Sequence, residues 1–599
     1  MENIFIEYLP PWVETGLQPA FYDKESGTVL QQTARMYAKV NELTKAFNDF
    51  SEETKDTVNE YIAKFVELYN YVHDYFDNLD VQEEINNKLD DMMEAGTLQE
   101  IITTYIQSNV AWTFDTVADM KQATNLVSGS FAQTLGFRSV NDGGGAIYKI
   151  TNTGTANEMD VIAVGDLLAN LVIKDSVTPE MFGAYGDGNE DDTDYFDRAL
   201  EYIKDKNTPL ILNNEYKITS EITTTNADNI TIIGHNAKLK VLTTVAFYFN
   251  TVNKLSIKGL TVVGQLEDGS PVGALAHALY ANYVDIEDII GDTLGYVYKN
   301  DYHLTNDAST QFITKEIKFE NINCTDCEVL LLTGFVENLV VENIFNETPN
   351  NKTRELFYLY GGIVNGYFKN ITADYTSRWP FHFNVTGGST PWDLTLDVNK
   401  NHNLYIDNIV VGQATCILHF TSYCKKIYVN NLMSNCPIYE STNGHTCEEV
   451  YVTNSVTNMP SGNSAGTVNK IEFNNCNIND RATLAKATDV VINGCYWVSD
   501  ATTNVFFVSL TAGSLTVKNS KLYNNSATSQ QVFQTNNGVK ISLINNEVYL
   551  NAANRFVTMV DDTDKAIIYG NIIEATSINA LNNKTPYIKF GNYINGSSI

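Results

Sequence analysis

The chain has 599 residues, 43% of them hydrophobic, and carries a formal charge of −33 from 39 basic and 72 acidic residues. That apolar content builds a real core and excludes a disordered chain. The negative field, with no Lys/Arg-rich run to offset it, excludes nucleic acid as a partner and disfavours anionic membrane surfaces.

The opening MENIFIEYLPPW has neither a basic n-region nor a long apolar h-region, so no secretory signal is expected. No apolar run approaches the ~18 residues of a membrane span, and membrane insertion is not expected. Residues 1–110 read as helical. Met36, Val40, Leu43, Phe47 and Phe50 keep 4-3-4-3 spacing, and Val58, Ile62, Phe65, Tyr69, Val72, Phe76 and Leu79 repeat it one residue out of phase. Such seams bury themselves against other helices, either within the chain or in a self-associating bundle, for instance a trimer. Residues 111–178 change character: TVADMKQA suits a short helix, and FAQTLGF and AIYKI flank SVNDGGG as strands around a hairpin or loop. Its glycines lack a following Gly-Lys-Ser/Thr, so no phosphate loop is formed.

The stretch MFGAYGDGNEDDTDYFDRALEYI, residues 181–203, is dense in acids. A calcium loop starting at Asp187 would need Gly at position six and Glu at position twelve, where the chain has Asp192 and Arg198. Tyr195, Phe196, Ala199, Leu200 and Ile203 instead form the apolar face of a helix, with Asp192 or Thr193 as N-cap. From about residue 210 onward one pattern recurs: apolar, any, apolar, any, then Asn or Gly. ITIIG, LSIKG, IKFEN, LVVEN, GYFKN, LYIDN, IYVNN, VYVTN and IEFNN are examples, and the final residues run from Gly234 through Asp288, Asn321, Asn343, Asn370, Asn408, Asn431 and Asn454 to Gly591 at intervals of 19 to 38 residues. Period-two alternation means strand, Asn or Gly means a corner that accepts left-handed backbone, and the repeat means a solenoid. The fold expected is mainly β, a right-handed single-stranded parallel β-helix over 179–599, roughly 70 Å long and closed at its first coil by the 193–203 helix. An α-helical region (1–110) and a small α+β domain (111–178) precede it. Residues just after the corners, Ile322, Ile344, Ile371, Ile409, Leu432, Cys476 and Cys495, are expected inside the rod. Eight cysteines are too sparse for a disulfide scaffold, and the lone C-x-x-C of Cys324 and Cys327 lacks the second pair of a zinc site. No metal or cofactor is expected.

FGAYGDGNEDDTDYFDRAL resembles the opening motif of the pectate-lyase-like β-helix superfamily as found in phage tailspikes. TVADMKQATNLVSGSFAQTLGF and DGGGAIYKI resemble the small domain before that motif in tail proteins of phages of Gram-positive hosts. LPPWVETGLQPAFYDKESGTVLQQTARMYAKVNELTKAFNDF is similar to the attachment region of such proteins, preneck appendage proteins included. The resemblance implies a homotrimeric virion protein, assembled in the host cytoplasm and held to other tail or neck proteins by its N-terminal region. It implies a function of binding a host cell-surface glycan and often cleaving it. It transfers no catalytic residue, because the motif is structural.

Candidate chemistry comes from the residues. The interval from Asn370 to Asn408 carries TSRWPFHFNVTGGSTPWDLTLDVNKNH, with Arg378, Trp379, His382, Trp392, Asp393 and Asp397. Rings beside carboxylates suit a sugar, stacking on its C–H face while acids handle its hydroxyls or glycosidic oxygen. Counting back eleven residues from the next ladder strand places Glu328, Glu355 and Asp393 in equivalent positions, and CEVLLLTG aligns with RELFYLYG. Glu328 and Glu355 would then lie about 5 Å apart on adjacent coils, a retaining pair. The bland alternatives stay open: an exposed acid pair eased by Arg354, a surface ion-pair partner at Arg378, and a packing role for His382. The reading is a tailspike that binds and hydrolyses a capsular or wall glycan. A non-catalytic adhesin, a teichoic-acid phosphodiesterase and a polysaccharide lyase of the same fold are the alternatives.

Overall fold

The computed structural model describes residues 81–97, 111–267, 270–301, 312–349, 353–384, 401–421, 423–441, 446–459, 467–479, 487–499, 513–524, 531–534, 539–551, 555–558, 565–575, 587–594 and 597–598, with single residues at 41, 67 and 101. The chain divides into two compact units, Met1–Ile106 and Gln107–Ile599. In the first, helix α1 is Val81–Glu94. The two expected apolar seams at 36–50 and 58–79 lie outside the described residues, apart from single positions.

The second unit begins with a five-stranded sheet. Its spatial order is Ala111–Phe114, Phe131–Thr134, Ile147–Thr151, Leu167–Val172 and Val161–Val164; the first pair is parallel and the rest antiparallel. Helix α2, Val117–Lys121, covers it and starts at a reciprocal cap in which Thr116 Oγ1 accepts from the Asp119 N–H and the Asp119 carboxylate accepts from the Thr116 N–H. Arg138 ties this sheet to the rod: its Nε donates to the Gly183 carbonyl at 2.8 Å, and its guanidinium lies over the Tyr185 ring at 3.9 Å.

Most described residues from Asp187 onward wind as a parallel β-helix whose coils have three walls. The first wall carries the apolar alternation read from the sequence, for example Leu255 and Ile257, Ile317 and Phe319, Leu404 and Ile406, all buried. The corner residue comes next, and the second wall continues beyond it. In the coils between residues 222 and 437 both walls and the corner belong to one long strand, such as Phe335–Glu347 or Ile363–Tyr375, and in later coils the corner separates two shorter strands. Asp288, Asn321, Asn343, Asn370, Asn408, Asn431, Asn454, Asn475, Asn519 and Asn545 all have φ between 48° and 58°, and Gly259, Gly494, Gly570 and Gly591 share the left-handed region. Only Asn, Asp and Gly enter that region at low cost, so the composition of the corner follows from its backbone. One corner differs. In the 222–241 strand the left-handed residue at the corner is Asn236 (φ 58°), not Gly234, and the pairing with the next coil shifts by a bulge there.

The residues after the corners point inward, as expected: Ile322, Ile344, Ile371, Ile409, Leu432, Cys476 and Cys495 are all buried. In the last coils this column turns polar and bonds to itself. Asn546 Nδ2 donates to Asn571 Oδ1, and Asn571 Nδ2 to Asn592 Oδ1, each at 2.9 Å. Buried amides are tolerated there because each finds a partner one coil away.

Helix α3, Thr193–Ile203, covers the first coil with Phe196, Ala199, Leu200 and Ile203, all fully buried. Tyr202 joins that face, while Tyr195 is only part-buried and packs toward Arg138. The acids before it are part of the fold. Asp187–Asp191 is itself a strand that pairs with Glu215–Ile218. Asp192 stands at the N-cap, but its carboxylate turns back and accepts from the Tyr185 N–H at 2.6 Å and the Lys217 N–H at 3.3 Å. Asp191 supplies the cap contact, accepting from the Thr193 N–H at 3.1 Å.

The third wall is the one the single-strand repeat did not show. It includes β1 (Tyr296–Asp301), β2 (Leu330–Thr333), β3 (Glu355–Tyr360), β4 (Trp379–Asn384) and β5 (Leu418–Thr421), paired in parallel in that order. The two long corner-to-corner intervals, Asp288–Asn321 and Asn370–Asn408, therefore contain a regular wall strand each, and their extra chain comes only after β1 and β4.

Candidate functional site on the third wall

Wall strands β2 to β5 bury one set of side chains and turn the alternate set outward. Leu330, Phe357, Phe381 and Leu418 form one inward column, and the aromatic rings lock together: Phe357 and Phe381 lie 5.2 Å apart, and Phe368 of the first wall meets Phe381 edge-on at 5.2 Å. This rigid layer backs the outward column of Leu331, Tyr358, His382 and His419, which stand opposite one another in successive coils.

The two glutamates sit at the upstream end of this wall. Leu330 pairs with Phe357, so two residues back Glu328 stands opposite Glu355, one strand spacing of about 4.8 Å away. The alignment of CEVLLLTG with RELFYLYG has a backbone cause at its far end as well. Gly334 and Gly361 touch so closely that a Cβ on Gly361 would sit 1.8 Å from the Gly334 oxygen. The third expected member of the acid column is corrected. Glu355 pairs with Trp379, not Asp393, because the extra chain of that coil comes after β4 and the backward count ran into it. Asp393, Trp392 and Asp397 lie outside the described residues.

Neither glutamate is a solvated surface acid. The Glu328 side chain is 8% exposed and that of Glu355 is 4% exposed, whereas Arg354 and Arg378 beside them are 57% and 53% exposed. Arg354 Nε donates to Glu328 Oε1 at 3.1 Å, and Arg378 Nη1 donates to Glu355 Oε1 at 3.3 Å. His382 Nδ1 lies 3.4 Å from the same Glu355 oxygen. These environments split the two acids. Burial dominates at Glu328, with the neighbouring Glu355 adding to it; together they outweigh Arg354 and the Tyr296 phenol, and the carboxyl is pushed up to about 7. At Glu355 burial also pushes upward, but His382 and Arg378 more than offset it and hold the carboxyl below its ordinary range.

His382 is buried yet faces the site, not the core, in contact with Trp379, Tyr358 and His419. Trp379 does not offer both faces to a sugar: His419 stacks on its ring at 3.6 Å with the planes 5° apart. Burial, assisted by the nearby His382, pushes His419 down to about 3, so its imidazole is neutral at ordinary pH. Five buried polar atoms without a hydrogen-bond partner gather here: Glu328 Oε2, Trp379 Nε1, His382 Nδ1 and Nε2, and His419 Nδ1. Buried polar groups are normally satisfied, so such a concentration marks a place where a polar ligand belongs.

His419 and Tyr296 were not among the residues expected from sequence. The signal for His419 was present: FHFN at 381–384 and LHFT at 418–421 are the same wall strand in successive coils. Tyr296 occupies the Glu328 position one coil earlier, as the Tyr298–Leu330 pairing requires. Among the described residues no group of three or more His, Cys, Asp or Glu is placed to hold a metal ion, and Cys324 and Cys327 are buried thiols. No described helix is long and apolar enough to cross a membrane.

No protein-family model and no curated protein matches the sequence. Solved structures similar to the chain are phage tailspikes and a tailspike-like enzyme. The Acinetobacter baumannii phage AM24 tailspike is 12% identical, with a TM-score of 0.34, over 74% of this chain and 66% of that one. Pantoea stewartii WceF, a glycan biofilm modifying enzyme with a tailspike-like parallel β-helix, is 9% identical, with a TM-score of 0.28, over 82% of this chain and 49% of its own. The tailspike gp49 of Acinetobacter baumannii bacteriophage Fri1, a capsular polysaccharide depolymerase, is 11% identical with a TM-score of 0.21, over 79% and 76% respectively. The match thus spans 66% of the first and 49% of the second of these proteins.

Proposed function

We propose that the chain is a phage tailspike that binds a host surface glycan on the third wall and hydrolyses it with Glu328 and Glu355. The observation that carries this reading is a pair of buried carboxyls one strand spacing apart in unlike surroundings: Glu328 meets Arg354, and Glu355 meets Arg378 and His382, so that burial raises the first and its partners hold the second low. A glycosidase needs that asymmetry: one acid protonated near neutral pH and the other ionised. Glu328 gives its proton to the glycosidic oxygen as the bond to the leaving sugar breaks. Glu355, kept ionised by Arg378 and His382, attacks the anomeric carbon and forms a glycosyl ester. Glu328, now a carboxylate, takes a proton from water, the hydroxide oxygen replaces Glu355 at the sugar, and both acids return to their starting states. The one-coil separation suits this retaining route, since inversion needs room for a water between more distant acids.

Virion attachment through residues 1–110 and a homotrimeric state belong to the same reading. Attachment rests on the resemblance of residues 9–50 to tail attachment regions and the trimer on the heptad spacing of 36–79; a solution mass three times the 66.8 kDa chain is the expected result. The functional test is incubation with a panel of capsular and wall polysaccharides. Release of reducing ends with retained anomeric configuration supports the proposal. Unsaturated ends identify a lyase, phosphorylated polyols a phosphodiesterase, and retention of a polymer without release an adhesin; each of these sinks it.

A further inference from the structure

We infer that the third-wall site takes an acidic glycan, with an anionic substituent of the substrate, a sugar carboxylate or a phosphate ester, seated on Arg354 and Arg378. This rests on the glycan reading above and adds the chemical class. The arrangement of charge favours it. In a chain of net charge −33, the acids of this site are buried and its cations exposed, so the surface that meets a ligand is positive. A protein this acidic repels polyanions in general; an exposed pair of arginines on adjacent coils is where one is admitted.

Geometry points the same way. Arg378 and Arg354 are neighbours in register, since the Arg378 N–H donates to the Arg354 carbonyl at 3.1 Å, so their guanidinium groups emerge about one strand spacing apart. Arg354 uses Nε on Glu328 and Arg378 uses Nη1 on Glu355, one hydrogen bond each among the described residues, while more than half of each side chain remains exposed. A guanidinium has five N–H donors in a planar fork that matches carboxylate and phosphate oxygens. The local charge balance is also incomplete. Glu355 has Arg378 as its cationic partner, but the carboxyl facing Arg354 is the one that burial favours as the neutral acid, which leaves Arg354 short of a counter-charge. An anion on the substrate restores it.

The test uses the full chain carrying Glu328→Gln, which copies the neutral acid and prevents turnover, so that binding is read apart from cleavage. Retention is measured on matched pairs of polymers: uronate-containing polysaccharides and their carboxyl-reduced forms, and glycans bearing phosphate monoester substituents and their dephosphorylated forms. Acidic polymers are expected to bind about ten- to a hundredfold more tightly than their neutral partners, the range of one or two charge-assisted hydrogen bonds. The pair that shows the difference identifies carboxylate or phosphate as the source. Arg354→Met and Arg378→Met, each added to the same protein, are expected to erase the difference, and Arg354→Lys to keep part of it. Equal binding within every pair, binding of neutral polymers only, or no retention of any acidic polymer overturns the inference. Cleavage by the unsubstituted protein of a neutral polymer that it binds equally well would leave the hydrolase standing and remove its acidic substrate.

Discussion

The rod has two polar columns on opposite duties, and their contrast separates structure from function. At the corner between the first and second walls the amides from Asp288 to Asn408 bond to one another: Asn321 donates to Asp288 at 3.0 Å, Asn343 to Asn321 and Asn370 to Asn343 at 2.9 Å, and Asn408 to Asn370 at 2.7 Å. On the third wall the column through Tyr296, Glu328, Glu355 and Trp379 never repeats a residue type more than once, and its surroundings hold buried atoms with no partner. A ladder that satisfies itself stabilises; one that does not is kept for something else.

The largest effect expected from breaking this contrast is on turnover. Glu328→Gln and Glu355→Gln should each lower the rate of polymer cleavage by about a thousandfold or more, as loss of an essential acid or nucleophile does. Glu328→Gln should not lower the melting temperature, and Glu355→Gln should lower it only by the lost contribution of its ionised carboxylate. A corner substitution should do the reverse. Assay of reducing-end release beside a thermal melt decides it. If either glutamine variant keeps most of its activity, the third wall is no more catalytic than the corner.

Next in size is the layer beneath the site. Phe357 is fully buried against Phe368 and Phe381. Phe357→Ala should cost about 3–5 kcal/mol and loosen the glutamates as well, whereas Phe357→Leu should cost less and keep them in place. Denaturant midpoints read the first effect and activity the second.

How much of this was legible in the chain depends on periodicity. The first wall and its corner announce themselves because the apolar alternation and the Asn come one after the other in every coil, and left-handed backbone restricts the corner to a few residue types. Glu328 and Glu355 were legible for a related reason: two segments of equal pattern ended in the glycines that the backbone contact at Gly334 and Gly361 demands. The third wall is less periodic. Its inward residues vary from Leu to Phe, and its distance from the corner varies because extra chain is inserted after β1 and β4. That is why counting failed for Asp393, and why His419, two coils from Glu355, was missed. The same irregularity hid the burial of the acid pair, which depends on neighbours from other coils and not on local sequence.

The site also predicts how stability depends on pH. Glu328 is raised from an ordinary 4.5 to about 7 in the folded chain. The folded state thus holds a proton that the unfolded state gives up between those values, so the contribution is fully present below about 4.5 and is lost as pH rises through 7. At 1.36 kcal/mol per unit the loss is about 3 kcal/mol. Glu328→Gln, which cannot ionise, should flatten that slope and be the more stable protein above pH 7. Glu355, held low, works in the opposite sense: its contribution is present above its unfolded value and is lost as pH falls through its folded one. Denaturant midpoints measured from pH 4 to 9 on both forms provide the check, and an unchanged slope in the Gln variant would place the raised carboxyl elsewhere.

The smallest effect belongs to the corner, where it can be divided into parts. Asn343 has φ 58°, donates to Asn321 and accepts from Asn370, each at 2.9 Å. Asn343→Ala removes both hydrogen bonds and forces a Cβ without a polar tip into left-handed backbone, which together should cost about 1–3 kcal/mol. Asn343→Gly removes the same bonds and relieves the backbone, so the difference between the two variants measures the conformational part, about 1–2 kcal/mol. The glycine variant against the original chain measures the ladder. Because the amides are exposed to water, that part should be under about 1 kcal/mol, and glycan cleavage should be unaffected in both. A cleavage rate that fell with Asn343 would mean the corner and the third wall communicate through the coil, and the separation of duties between them would have to be given up.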